Sequence, residues 1–158
     1  MVYIMKTLFQ LLKKVKKFFG LSFAEKISII EAFILTGIVR FSILFIPFNK
    51  LARCIGKYKD ESTYSVSDKE KDTICRIAWA VYVVSKRTPW QSKCLVKALT
   101  AQIMLRQRKV SSTLYLGVAK DKANKLKAHA WLRSGQDIIT GNSEKEGFTV
   151  VAKFANNT

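Results

Sequence analysis

The chain has 158 residues, of which 49% are apolar, so it has the size of one domain and enough apolar side chains to fill a core, with room for an N-terminal extension. Lys and Arg number 28 against 11 Asp and Glu, and the net charge of +17 favours an anionic partner: a membrane surface, a nucleic acid or an acidic peptide. Three widely spaced cysteines and a single histidine argue against a disulfide scaffold and a structural zinc site, and they favour a reducing cytoplasm.

Residues 4–19 are predicted to form a basic amphipathic helix. At about 100° per residue, the apolar side chains fall on one side of the helix and the polar ones on the other. The apolar side holds Ile4, Leu8, Leu11, Leu12, Val15, Phe18 and Phe19, and the polar side holds Lys6, Gln10, Lys13, Lys14 and Lys17. Two interpretations stay open: a helix packed on its own domain, or one adsorbed to an anionic bilayer. No signal peptide is expected, because the lysines continue and no small-residue cleavage site follows an apolar core.

A long apolar helix is predicted to follow. Ser22-x-x-Glu25 is a capping box, and residues 27–48 are almost continuously apolar and long enough to span a bilayer. Glu31 and Arg40 interrupt this run nine positions apart, so they lie on opposite faces of the helix and cannot pair. Each would cost roughly 2.5–3.5 kcal/mol near the bilayer centre. We therefore favour a buried or interfacial helix over a transmembrane one.

The next part of the chain divides it in two. A short helix is expected at residues 48–56, and the polar segment after it has no period, so we interpret it as a linker. The division separates an N-terminal helical region, residues 1–60, from a core region, residues 61–158. Ser67-x-x-Glu70 is a second capping box and starts the first helix of that core.

The last part of the chain is predicted to form one helix and an antiparallel sheet. Apolar residues recur with helical spacing over residues 95–109, and the period then changes to two. Strands are predicted at residues 111–120, 126–133, 136–140 and 148–154. Helices followed by an antiparallel sheet indicate an α+β fold.

Cys94 lies at or just after the start of the helix at residues 95–109, with Ser92 or Gln91 as the expected cap. Unpaired backbone N–H groups and the positive helix end favour thiolate over thiol at such a position. The Cys94 N–H, with a second donor from Gln91 or the Trp90 region, would form an oxyanion hole. Cys94 is thus a candidate nucleophile, and a small buried apolar residue is the alternative.

His129 is the chain's only histidine and lies in a predicted strand. Alternation places it on one face with Trp131 and Arg133, and the small Ala128 and Ala130 leave room for another element to approach. We expect that element to be the helix bearing the candidate nucleophile, with the Trp131 ring shielding the pair from water. A satisfied core histidine is the alternative. The arrangement predicts a Cys–His pair of the papain-like or transglutaminase-like kind.

The third catalytic residue, which would orient the imidazole, is less clear from the sequence. Asp137 is the nearest downstream carboxylate and is chosen by residue type. If residues 134–135 form a two-residue turn, however, Asp137 points to the wrong side near the hairpin tip and Thr140 lies opposite His129. Thr140 or Asn142 would then be better placed. No glycine-rich phosphate loop or metal-ligand cluster is visible, so neither a cofactor nor a metal is expected.

Several motifs of the chain resemble those of a known family, the stand-alone leader peptidases of lasso-peptide biosynthesis, which have a transglutaminase-like catalytic core. The similarity covers residues 21–154, including the helical segment 32–56. The motifs that carry it are Thr88-Pro89-Trp90, Ser92-x-Cys94-Leu95, Leu116-Gly117-Val118, Ala128-His129-Ala130-Trp131 and Ile138-Ile139-Thr140-Gly141.

The resemblance implies a cysteine protease of the Cys-His-Asp type that removes the leader from a ribosomally synthesised lasso-peptide precursor. Its catalytic residues would be Cys94 and His129, and Asp137 is kept as the third by residue type, with Thr140 and Asn142 as alternatives. The implied partners are the precursor peptide, a separate leader-binding protein and a lasso cyclase, with no nucleic acid. Members of this family commonly carry an aspartate some twelve residues past the histidine, and that place here falls near Thr140 and Gly141.

A second hypothesis of a different class is a non-enzymatic basic module that binds an anionic membrane or nucleic acid, where Trp90 could stack on bases. A thiol acyltransferase on the same scaffold is a third. We expect a cytoplasmic protein, and peripheral attachment to the inner face of the membrane is compatible with the protease hypothesis.

Overall fold

The computed structural model describes residues 20–121, 123–142 and 147–157. The helix predicted for residues 4–19 lies outside them. The elements in chain order are α1 (Phe23–Phe45), α2 (Phe48–Ile55), β1 (Lys57–Tyr58), α3 (Asp68–Ser85), α4 (Cys94–Gln107), β2 (Ser112–Lys120), β3 (Leu126–Ser134), β4 (Asp137–Thr140) and β5 (Thr149–Asn156). Helices followed by an antiparallel sheet confirm the predicted α+β fold.

Both predicted capping boxes are formed. Ser22 Oγ accepts a hydrogen bond from the Glu25 N–H at 3.3 Å, while the Glu25 carboxylate accepts one from the Ser22 N–H at 2.8 Å. Ser67 and Glu70 make the same two bonds at the start of α3, at 3.3 and 2.7 Å. Each box satisfies two backbone donors that helix geometry leaves without partners, so the starts of α1 and α3 are encoded locally.

The five strands form one antiparallel sheet in the order β1-β5-β2-β3-β4. The central pair, β2 and β3, places Gly117 opposite His129. β1 was not predicted: it lies within the segment interpreted as a linker and pairs Lys57 with Ala155. A strand of two residues is too short to show a period of two, so its pairing with a distant strand is invisible in the sequence.

The β3–β4 hairpin departs from the predicted register. Ser134 pairs with Asp137, so the turn is formed by Gly135 and Gln136, one residue later than expected. A bulge after Leu132 then shifts the pairing, and Thr140 lies opposite Leu132. The predicted pairing of Thr140 with His129 is therefore wrong, because an unpaired residue in one strand displaces every pair beyond it.

The helices pack on one another and on the sheet around a single core. α4 lies against β2 and β3, α3 contacts β4, and α1 packs on both α3 and α4. Ala32 and Val39 of α1 belong to the same buried cluster as Ile77, Met104 and Leu132. The described residues on both sides of position 60 thus share one core, which holds α4 and β3 in contact.

Glu31, which has no partner within its own helix, pairs with a residue distant in sequence. The Arg108 guanidinium grips its carboxylate with two hydrogen bonds, at 2.6 and 3.0 Å, and both side chains are largely shielded from solvent. Arg108 caps the end of α4. The ion pair therefore ties the middle of α1 to the end of α4 furthest from Cys94.

Candidate active site

Cys94 is the first residue of α4 and is partly buried. The N-cap is Lys93, whose side chain makes no capping hydrogen bond, so the expectation of Ser92 or Gln91 as the cap is wrong. Ser92 Oγ instead lies 2.9 Å from Thr88 Oγ1, within the preceding loop. Because no capping side chain occupies them, the first N–H groups of the helix can bind an anion, and the Cys94 N–H is a candidate oxyanion donor.

Trp90 anchors the loop before Cys94 to helix α1. Its ring centroid lies 5.1 Å from that of Phe33, and a Cβ added to Gly37 would come within 3.2 Å of the indole ring. The Thr88 hydroxyl donates to the Trp90 carbonyl at 3.1 Å, which ties the loop to itself. Trp90 is therefore a packing residue that fixes the approach to α4, and its contact with α1 argues against a base-stacking role.

His129 is buried on β3, with 5% of its surface exposed. As alternation predicts, it shares a face with Trp131, whose ring lies nearly parallel to the imidazole at a centroid distance of 5.9 Å, and Phe148 approaches at 5.3 Å. Gly117 on β2 makes room for this cluster, since a Cβ there would lie 2.8 Å from the Trp131 ring. The aromatic rings keep water from two sides of the imidazole, which strengthens its electrostatic interactions.

The Gly141 carbonyl fixes the orientation of the imidazole. It lies 2.9 Å from His129 Nε2, twelve residues along the chain. A carbonyl oxygen only accepts hydrogen bonds, so Nε2 carries a hydrogen and Nδ1 is the ring nitrogen that takes up or releases a proton. Gly141 has φ +77°, and a Cβ there would come within 2.6 Å of the Ala130 carbonyl and 3.0 Å of Nε2. This close approach of backbone to ring requires glycine.

Cys94 and His129 line the same cleft, which has a volume of about 440 Å³. Its walls come from α3, the start of α4, β3 and the end of β4: Ala78, Val81, Tyr82, Lys93, Cys94, Lys97, His129, Ile139, Thr140 and Gly141. The structure thus brings together the two residues that the sequence selected from separate elements. A cleft of this size accommodates several side chains of a peptide.

Asp137, chosen by residue type as the orienting group, is placed elsewhere. It is exposed, pairs with Ser134 at the hairpin tip, and is not among the residues that line the cleft. Of the two alternatives, Asn142 is exposed, whereas Thr140 lines the cleft. The later turn and the bulge place Asp137 at the hairpin tip, while the Gly141 carbonyl lies within hydrogen-bond distance of His129 Nε2.

Two lysines lie beside Cys94, the candidate nucleophile. Lys93 and Lys97 line the cleft beside Cys94, and no acidic side chain is among its described lining residues. At the end of α3, Lys86 donates a hydrogen bond to the Tyr82 hydroxyl. This hydrogen bond, together with the charges of Lys86 and Lys97, lowers the pKa of Tyr82 below its ordinary value. Such a field favours anionic groups of a substrate and the negative charge that develops in acyl transfer.

A cysteine at a helix start and a histidine on the facing antiparallel sheet, in one cleft, are the arrangement that thiol-dependent acyl transfer requires. Comparison of the sequence with family models agrees: the model of the transglutaminase-like superfamily matches residues 42–153. The chain therefore belongs to the transglutaminase-like superfamily, which includes cysteine proteases. No curated protein and no solved structure matches the chain.

Two features of the site were not found from the sequence. The Gly141 carbonyl has no side-chain signature, although the leader peptidases that the sequence resembles commonly carry an aspartate at about this position, twelve residues past the histidine. Lys97 was not singled out from the sequence. Its place one turn after Cys94 was the available signal, because residues three apart share a helix face.

Proposed function

We propose that this chain is a cysteine protease that removes the leader peptide from a ribosomally synthesised lasso-peptide precursor, working with a separate leader-binding protein and a cyclase. The observation that carries the hydrolytic chemistry is the cleft shared by Cys94 and an oriented His129. Membership of the transglutaminase-like superfamily supports a thiol nucleophile. The lasso-precursor assignment is supported by the sequence motifs around these two residues.

The arrangement supports a two-step reaction. His129 Nδ1 takes the thiol proton of Cys94, and Sγ attacks the carbonyl carbon at the end of the leader. The Cys94 N–H stabilises the oxyanion of the tetrahedral intermediate. Its collapse breaks the amide bond, and His129 gives its proton to the departing amine of the core peptide. A thioester between Cys94 and the leader remains.

Water completes the cycle. His129 Nδ1 accepts a proton from water as its oxygen attacks the thioester, and the thiolate leaves and is reprotonated. The products are a leader with a free carboxylate, a core peptide with a free amine, and the original thiol. The Gly141 carbonyl stabilises the imidazolium in both steps, because the hydrogen bond that Nε2–H donates to it becomes shorter and stronger when the ring is charged.

Cleavage of a precursor tests the proposal directly. We expect Cys94→Ala to abolish cleavage of a lasso precursor presented by its leader-binding protein, with products followed by mass spectrometry, and His129→Ala to reduce it by at least about 10³-fold. Cys54→Ala is the matched control and should cleave at the parent rate, since Cys54 lies outside the cleft. Undiminished cleavage by Cys94→Ala would remove the protease proposal.

Thiol labelling tests the site without any partner. Cys54 and Cys75 are exposed and Cys94 is only partly so, hence access alone predicts that iodoacetamide reacts with Cys94 last. An activated nucleophile reverses this order at neutral pH. Peptide mapping should show Cys94 alkylated first in the parent protein and last in His129→Ala. Labelling in the order of exposure in both proteins would favour a non-catalytic thiol.

The partners make a prediction of their own. If the chain acts on a lasso precursor, genes beside it should encode a short precursor, a small leader-binding protein and an asparagine-synthetase-like cyclase. An acyltransferase on the same scaffold would share the labelling result and would transfer the acyl group to an amine rather than to water.

A further inference from the structure

Helix α1 has two apolar faces, and among the described residues only one of them is covered by other parts of the fold. Ser28, Ala32, Thr36 and Val39 are buried against α3 and α4. On roughly the opposite side, seven large apolar residues, each 44–78% exposed, form a continuous stripe that we call the outer face: Phe23, Ile27, Ile30, Ile34, Ile38, Phe41 and Phe45. At about 100° per residue they fall within about 80° of one another on the helix.

The outer face is larger than a soluble protein ordinarily leaves uncovered. From Phe23 to Phe45 it runs about 33 Å at about 1.5 Å per residue. Leu44, Ile46 and Phe48, which are 59%, 41% and 44% exposed, extend it toward α2. Contiguous apolar surface of this extent marks a site of contact with another apolar phase or partner.

The helix cannot cross a bilayer and keep its present packing. Of the described helices, α1 alone is long and apolar enough to do so, with a mean hydropathy of 2.0. Its inner face, however, is part of the domain core, and Glu31 at its side is held by Arg108 at 2.6 Å. A spanning helix would lose both. The arrangement that keeps them places α1 parallel to the membrane plane, with the outer face in the apolar region and the domain above it.

The charge pattern selects lipid as the occupant. Lys26 lies about 40° beyond one edge of the outer face, and Lys50 and Arg53 are exposed on the adjoining α2. Both acidic residues of α1 are engaged elsewhere, Glu25 in its capping box and Glu31 with Arg108. Cations beside an apolar stripe match an anionic headgroup layer above acyl chains. A second copy of a chain with a net charge of +17 would instead be repelled.

We propose that the outer face of α1 adsorbs the protein to a membrane surface that contains anionic lipids. The proposal stands on α1 alone and does not depend on the protease activity. It also differs from attachment through residues 4–19, since it assigns the contact to α1.

Vesicle sedimentation with the full chain tests the proposal. The parent protein should bind vesicles of phosphatidylcholine and phosphatidylglycerol, bind pure phosphatidylcholine much less, and lose part of its binding in high salt. Ile34→Glu/Ile38→Glu should lower the partition coefficient at least about tenfold, because the transfer of two isoleucine side chains from water into the lipid is lost. Asn124→Asp/Gln136→Glu, which changes the net charge equally at exposed positions in the β2–β3 loop and the β3–β4 turn, should stay within about twofold.

Three results would overturn the proposal. The first is equal binding to neutral and anionic vesicles. The second is unchanged binding by Ile34→Glu/Ile38→Glu, which would place the contact elsewhere, as on residues 4–19. The third is a concentration-dependent dimer in analytical ultracentrifugation that the same variant dissociates, without vesicle binding by the parent, which would assign the outer face to a second copy. Circular dichroism of each variant establishes that it is folded before binding is compared.

Discussion

The orienting role of the Gly141 carbonyl leads to a sharp prediction for Gly141→Ala. At φ +77°, an alanine adopts a left-handed conformation that disfavours any Cβ, and that Cβ would lie 2.6 Å from the Ala130 carbonyl and 2.9 Å from Trp131 Cβ. Contacts so short with backbone and Cβ atoms force the loop to move. Strain and displacement together should reduce the free energy of unfolding by about 2–4 kcal/mol.

The displacement should also reduce the cleavage rate of the variant molecules that remain folded. The Gly141 carbonyl lies 2.9 Å from His129 Nε2, so even a small movement breaks the hydrogen bond that holds the ring in the tautomer with its hydrogen on Nε2. We expect the cleavage rate of folded Gly141→Ala to fall by about 10²- to 10⁴-fold, as for the loss of a general base. Single-turnover cleavage of the precursor, at a temperature where circular dichroism shows the variant folded, measures this.

Asp137→Asn is the matched control and separates the two candidate orienting groups. Asp137 is exposed and pairs with Ser134, so replacing its carboxylate with an amide should leave cleavage within about threefold of the parent. A drop of about 100-fold or more in Asp137→Asn, or unchanged cleavage in folded Gly141→Ala, would refute the assignment of the orienting role to the carbonyl. The control remains decisive even if Gly141→Ala does not fold.

Two further predictions concern the ion pairs that hold the fold together. Glu31→Gln breaks the bidentate bond to Arg108 and should lower the free energy of unfolding in urea by about 1–3 kcal/mol. Asp68→Asn, at an exposed ion pair with Lys71, should change it by less than about 0.5 kcal/mol. Equal effects of the two variants would show that the shielding of Glu31 from solvent is irrelevant. The hydrogen bond from Lys153 lowers the pKa of Glu61 from its ordinary 4.5, so Glu61 stabilises the fold above that value and the contribution is lost as the pH falls through the lowered pKa. The difference in unfolding midpoint between the parent and Glu61→Gln should therefore shrink with acidification, and a difference that grows at low pH would contradict the sign.

The parts of the fold that depend on local chemistry could be predicted from the sequence. Ser22 and Glu25 define a helix start by themselves, since a capping box needs only four residues. The position of Cys94 at a helix start and the shared face of His129 and Trp131 also follow from short-range periodicity. Local periodicity does not predict that the helix and the strand line one cleft. That prediction depends on the analogy with papain-like and transglutaminase-like folds.

What could not be predicted depends on backbone and on distance. Glu31 pairs with Arg108, which is 77 positions away in the sequence, and no local pattern around either residue predicts the pair. The hairpin turn falls one residue later than expected and a bulge follows, which together decide that Asp137 stays at the surface. A carbonyl acceptor such as that of Gly141 is present in every residue, so composition carries no sign of it.

Helix α1 contacts the loop that precedes Cys94, so the outer face and the candidate nucleophile are structurally linked. Phe33, at the edge of the outer face and 47% exposed, contacts the Trp90 ring, and Gly37 supports that ring from the next turn of the helix. Trp90 lies four residues before Cys94, in a loop braced by the Thr88 hydroxyl. In the proposed membrane-bound state, lipid would cover the exposed side of Phe33 and restrict the movement of the Trp90 ring beneath it. Because a nucleophile must be held within a fraction of an ångström of its productive position, the same helix that binds the membrane would also steady the approach to the cleft.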